Sequence, residues 1–191
     1  MNHRSTTNRS SSPHSLVREK MADQTWHIRK AQPKDVGAIL KLIIGLAVYE
    51  REPDAVKATP ELLHHNLFEK QYAQVLLAFK GTVEQPGEAV GLALYFYNFS
   101  TWTGKPGIYL EDLFVDEAAR GWGIGKALFA ELGKDAEAND CQRIDWSVLK
   151  WNKPSIEFYE KVLGAFPMSE WQQMRLETEG IERLQKFKRQ E

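Results

Sequence analysis

The segment Tyr109-Leu110-Glu111-Asp112-Leu113-Phe114-Val115, followed at once by Arg120-Gly121-Trp122-Gly123-Ile124-Gly125-Lys126, constrains the fold most. An apolar strand runs into a short loop, then into three alternating glycines that open a helix with Ile124, Leu128, Phe129 and Leu132 at helical spacing. A strand feeding a helix in this way is the start of a β-α-β unit and implies an α/β layer. Glycines at such a turn let backbone N–H groups approach a ligand, and the helix start adds positive partial charge. By themselves they fit either a diphosphate cradle or simply a tight turn. A dinucleotide fingerprint fails on spacing: counted from Gly121 its last glycine falls on Lys126, and counted from Gly123 on Leu128. A nucleotide P-loop fails too, because Ala127 stands where a magnesium-binding hydroxyl is needed.

The remaining pattern surrounds this unit with strands and helices. Trp26, Ile28 and Lys30 alternate as a short strand, and Pro33 opens an amphipathic helix over 33–49. Thr59-Pro60-Glu61 starts a second helix with Thr59 as cap. Strands are predicted over 74–79, 89–99, 108–115 and 144–149, with loops at 80–88 and 103–107. A helix over 152–163 is closed by Gly164, a last strand is predicted over Trp171–Leu176 and a terminal helix over 181–187. The order β-α-α-β-β-β-α-β-α-β gives an α/β fold with a mixed, mostly antiparallel central sheet flanked by helices, expected to be one domain over 25–191.

Composition narrows the function classes. The chain holds 191 residues with 25 Lys+Arg against 26 Asp+Glu, so no general electrostatic attraction to nucleic acid is expected. Its single cysteine, Cys141, excludes a disulfide framework and a cysteine zinc site and fits a reducing compartment. The histidines lack metal spacing, so no metal is expected, and no apolar run is long enough for a transmembrane helix. Residues 1–24 carry Arg4, Arg9, Arg18 and Ser10-Ser11-Ser12 without apolar periodicity. They read as a disordered or targeting tail. The chain is expected in the cytoplasm, or in the mitochondrion if 1–20 serve as a transit peptide.

What survives the spacing tests is Arg-x-x-Gly-x-Gly at Arg120, Gly123 and Gly125, and here the sequence resembles the GNAT superfamily of acetyl-CoA-dependent acetyltransferases. A second block, Trp151-Asn152-Lys153-Pro154-Ser155-Ile156-Glu157-Phe158-Tyr159-Glu160 with Gly164-Ala165, is similar to the helix that bears this superfamily's catalytic tyrosine. The Tyr-Leu-Glu-Asp block and Tyr49-Glu50 resemble the spermidine/spermine branch with its thialysine- and diamine-acetylating relatives. Gln172 and Met174 stand where the polyamine members carry an acid and a tryptophan, and Glu170-Trp171 sits slightly earlier, as in relatives acting on shorter amines.

The resemblance implies a division of labour. An aliphatic ammonium with a pKa of about 10.4 is neutral in only about one molecule in two thousand at pH 7, so the enzyme must remove a proton before transfer. Glu111 would be the base, acting through water, and Tyr159 would return a proton to the departing thiolate. Leu113, Phe114 and Val115 would pair with the pantetheine arm, an N–H near Val115 would meet the oxyanion, and Arg120, Gly121, Trp122, Gly123, Ile124, Gly125, Lys126, Asn152 and Ser155 would hold coenzyme A. Tyr49, Glu50, Glu111, Asp112 and Glu170 would face the amine. Regular strand alternation sends Glu111 and Asp112 to opposite faces. Without the motifs, the default reading of Tyr159 is a core aromatic and that of Glu111 a solvated strand residue. The expected partner is a small cationic amine, with no nucleic acid or membrane and with a homodimer as the assembly. The alternatives are a protein lysine or N-terminal acetyltransferase, or a regulatory module that binds coenzyme A.

Overall fold

A computed structural model describes residues 24–189; the tail expected over 1–24 lies, apart from Gln24, outside them. The chain divides into two compact units that meet in sequence between Ser147 and Val148. The first unit carries the sheet, formed by β1 (Trp26–Lys30), β2 (Gln74–Gly81), β3 (Pro86–Ser100), β4 (Lys105–Val115) and β5 (Ile144–Trp146) in sequential order. The first three pairings are antiparallel, whereas β4 and β5 run parallel, as a crossover through a helix requires. The α-helices among the described residues of this unit are α1 (Val36–Tyr49), α2 (Pro60–His64) and α3 (Ile124–Ala138).

The strands are buried on both faces because a helix covers each. On one face Ile39 and Leu42 of α1 pack on Leu77, Leu92 and Phe114. On the other, Ile124, Leu128 and Leu132 of α3 pack on Leu76, Val90, Tyr95, Ile108 and Leu110. Each such side chain removed from water contributes about 1.5–3 kcal/mol. The entry into α1 is fixed by charge: Arg29 donates to both carboxylate oxygens of Asp35, at 2.6 and 2.9 Å, and the Gln32 N–H donates to it at 2.7 Å. Asp35 is buried, and the Arg29 guanidinium holds its carboxyl below the usual range against the cost of burial.

Several boundaries differ from expectation. The loop predicted over 80–88 shrinks because Gly81 pairs with Pro86, so the hairpin turn is 82–85. The helix that the glycine turn opens begins at Ile124, because its cap Gly123 has φ +85°, which is not helical. The strand at 144 stops at Trp146 rather than 149.

The second unit contains α4 (Lys153–Lys161), α5 (Thr178–Arg183) and a final 3₁₀ turn over Leu184–Phe187. Gly164, with φ +73°, ends the α4 region while Ala165 N–H reaches the Tyr159 carbonyl at 3.0 Å. The strand predicted over Trp171–Leu176 is corrected: among the described residues this segment is irregular and joins no ladder. Its alternation of large and polar residues supplies strand propensity, but pairing needs a facing edge, and the side chains of Trp171, Met174 and Leu176 are exposed.

Candidate active site

The site grows from an irregularity in β4. Leu94 faces Asp112 but Tyr95 faces Leu110, so Glu111 is an extra residue in the ladder, a β-bulge. Its consequence is visible in the packing: Leu110 and Leu113, three residues apart, both join the cluster under α3, whereas a regular strand would place them on opposite faces. Phe114 lies on the α1 face, and Asp112 is paired with Leu94 on that same face. The expectation that Glu111 and Asp112 point apart is therefore corrected. The inserted residue leaves both on the face that carries α1.

Glu50 caps the C-terminus of α1, directly after Tyr49. Burial pushes the Asp112 carboxyl up to about 6, helped by the negative charges of Glu111 and Glu50, and burial raises Glu50 as well. Three carboxylates that repel one another in a half-dry setting form a place that a cation would relieve. Glu111 itself is exposed, within reach of a solvent-borne ligand.

Beside the carboxylates, β4 offers an edge that is unpaired among the described residues. Its ladder with β5 covers only Ile108 to Leu110. The Asp116 N–H donates to Val90 O at 2.8 Å, so alternation turns the backbone groups of Phe114 toward β3 and those of Leu113 and Val115 to the other edge. Of the three residues expected to pair with a pantetheine arm, Leu113 and Val115 thus present main-chain groups, whereas Phe114 spends both side chain and backbone inside the fold. Arg120 Nε already donates to Val115 O at 3.2 Å, and its guanidinium carbon lies 4.9 Å from the centre of the Tyr49 ring. This contact ties the glycine turn to the end of α1, and no spacing rule would have shown it.

The turn itself suits an anion. Gly121 and Gly123 have φ +83° and +85°, and a Cβ added at Gly121, Gly123 or Gly125 would meet no atom within 4 Å, so open space faces the main chain there. The first-turn N–H groups of α3 lack intrahelical acceptors, and no acid occupies that turn. Lys126 is exposed beside them. Ile124 is buried in the core and Trp122 packs against it, with the Trp122 carbonyl receiving Trp26 Nε1 at 3.1 Å. These two residues can serve a ligand only through their backbone. The cradle, the free N–H groups and the unpaired strand edge together fit a diphosphate with an amide-bearing arm.

In the second unit, Asn152 is the cap of α4: its side chain accepts the Ser155 N–H at 3.4 Å and is buried. Tyr159 is half-buried on that helix, with its ring edge toward Phe158 at 5.6 Å between centroids. Glu170 is exposed in the irregular stretch beyond. The structure thus brings Tyr49, Glu50, Glu111, Asp112 and Arg120 together in one unit, and Asn152, Ser155 and Tyr159 on one helix of the other. Among the described residues no group of three or more His, Cys, Asp or Glu is arranged to hold a metal, and no helix is long and apolar enough to cross a membrane.

A mixed sheet opened at its fourth strand, a glycine-capped helix and a cluster of carboxylates fit an enzyme that takes an anionic donor and a cationic acceptor. Residues 42–165 match the model of the acetyltransferase (GNAT) family, and the chain belongs to that family and is an N-acetyltransferase. Its sequence is similar to the thialysine N-epsilon-acetyltransferase of Sus scrofa, with 37% identity over 82% of this chain and 95% of the relative. It is also similar to an L-ornithine N5-acetyltransferase of Arabidopsis thaliana, with 28% identity over 84% of this chain and 88% of the relative. Among solved structures, an integron cassette protein from the mobile metagenome of V. cholerae aligns with TM-score 0.70 and 28% identity, over 84% of this chain and 98% of that one.

Proposed function

We propose that the chain transfers the acetyl group of acetyl-CoA to a primary amine of a small cationic compound: a diamine, a polyamine, or an ornithine- or lysine-like amino acid. The carrying observation is the recess of Glu50, Glu111 and Asp112 beside the free edge of β4, an arrangement that selects positive charge next to the donor's resting place. Relatives named for thialysine and ornithine support the same reading.

Bound acetyl-CoA supplies an acetyl group activated as a thioester, so that a C–N bond forms as a C–S bond breaks. The cradle from Gly121 to Lys126 holds its diphosphate, Leu113 and Val115 hold its arm, and the coenzyme portion also meets Asn152 and Ser155 near their helix cap. Glu50 and Asp112 anchor the substrate's charge, with Tyr49 and Glu170 as further walls. Glu111 accepts the ammonium proton through water, leaving the nitrogen lone pair free to attack. Tyr159 gives its phenolic proton to sulfur as it departs and regains one from the acylated nitrogen through water, so that the amide, the free thiol and the one proton left on Glu111 account for every proton.

The reading treats 25–191 as one catalytic domain, since the family match runs across the boundary between the two units. It expects a homodimer in the cytoplasm. The exposed apolar side chains Phe166, Trp171 and Met174 support the assembly, and a sequence with a single cysteine, Cys141, fits the compartment. The test is thiol release from acetyl-CoA across a panel of amines of graded length and a panel of lysine peptides. Turnover of the free amines supports the reading. Turnover of peptides alone would replace it with protein acetylation, and acetyl-CoA binding without turnover would replace it with a regulatory module.

A further inference from the structure

Beyond Glu111 the α1 face of the sheet continues across β3, β4 and β5. Ile108 and Leu110 of β4, and Ile144 and Trp146 of β5, belong to the α3 face, so the residues between and beside them, Tyr109, Arg143, Asp145 and Ser147, share the face of Glu111. Contacts agree with that placement: Tyr109 Oη lies 2.9 Å from Ser147 Oγ, and Asn98 Nδ2 donates to Asp145 at 3.2 Å. Phe96 and Tyr109 pack with ring centroids 5.3 Å apart and planes tilted by 31°, an aromatic floor on the same face as Glu111.

At the end of this floor stand two opposite charges. Arg143 Nε engages Asp145 at 2.8 Å, and both side chains remain open to solvent. The pair is anchored from below. The amide of Asn98 is wedged over Gly107, where a Cβ would come within 2.5 Å of its oxygen, and that oxygen is buried without a hydrogen-bond partner among the described residues. A buried acceptor left unmet has a cost that a merely decorative surface ion pair would not require.

Spacing gives the pair a role. Two residues along a strand cover about 7 Å and the next strand lies about 5 Å away, which puts the backbone of Asp145 about 9 Å from that of Glu111. A four-carbon chain between a terminal amine and an α-carbon spans about 6 Å at bond lengths near 1.5 Å. A terminal amine at Glu111 would then bring an α-ammonium to Asp145 and its neighbouring α-carboxylate to Arg143. A substrate with two ammonium ends and no carboxylate leaves Arg143 unanswered and adds a like charge beside it.

We propose that Arg143 and Asp145 form a specificity subsite for the α-carboxylate and α-ammonium of a basic amino acid whose terminal amine is acetylated. The proposal rests on the reading of Glu111 as the amine-activating group. The test compares L-lysine and L-ornithine with 1,5-diaminopentane and 1,4-diaminobutane, the same chains without the carboxylate, in the full-length protein. Wild type should favour each amino acid over its diamine. Arg143→Gln and Asp145→Asn should each lower kcat/KM for the amino acids by about tenfold or more while changing the diamines less than about twofold, and Arg143→Lys should restore part of the loss. Equal losses on both substrate types, or none on either, would overturn the subsite while leaving amine acetylation standing. A wild-type protein that acetylates neither type would overturn the amine reading itself, and the subsite with it.

Discussion

Replacing Asp112 with Asn tests the electrostatics of the recess directly. Burial and two neighbouring carboxylates raise Asp112 from its ordinary 3.8 to about 6. An acid raised on folding opposes the fold in its ionised form. The penalty is complete above the folded value and disappears below the unfolded one. At about 1.4 kcal/mol for each tenfold difference in proton affinity, the wild-type fold carries roughly 3 kcal/mol of this penalty at pH 8 and roughly 0.5 kcal/mol at pH 4. Asp112→Asn, similar in shape and without charge, should therefore stabilise the protein by up to about 3 kcal/mol at pH 8, with the gain shrinking steadily on acidification. Urea denaturation of both proteins from pH 4 to 8 reads this out as a pH-dependent difference in midpoint at constant slope. The same variant should bind a diamine more weakly, because the recess has lost a counter-charge. A gain that does not vary with pH, or a loss of stability at pH 8, would show that Asp112 is not the strained group argued here.

Tyr159→Phe should lower kcat by about 100-fold or more while calorimetry finds acetyl-CoA binding little changed, the split expected of a proton donor. Gly123→Val should lose acetyl-CoA binding, since a side chain would stand in the space before the cradle, and should cost about 1–2 kcal/mol from its left-handed φ; equilibrium binding and thermal melting separate the two effects. Arg29→Met strands the buried Asp35 and should cost about 3–5 kcal/mol at pH 7. Because Asp35 is held low, its pairing contributes above the ordinary carboxylate range and is lost as pH falls below it, so melts of this variant and wild type should converge toward pH 3.

Much of the framework is legible in residue pattern, because helix periods and caps act locally. Thr59 and Asn152 cap the helices they announce, and Gly121 and Gly123 adopt the left-handed backbone that only their missing side chains make easy. The placement of the carboxylates was not legible. Alternation assigns Glu111 and Asp112 to opposite faces, and only the ladder between β3 and β4 shows the extra residue that turns them to the same one. The strand expected at Trp171–Leu176 failed for a related reason: propensity is local, whereas pairing depends on an edge supplied by a distant part of the chain. Arg143 and Asp145 escaped notice because nothing in a two-residue alternation on a three-residue strand distinguishes a recognition pair from ordinary surface charge.

The bulge at Glu111 is also separable from the two hydrophobic layers that flank it. Leu94 faces Asp112 and Tyr95 faces Leu110, so deleting Glu111 would join its neighbours into one regular strand with every partner retained, and Leu113, Phe114 and Val115 would keep their layers. The extra residue is surplus to the framework: the strand would close without it, and what would vanish is the second acid on the α1 face.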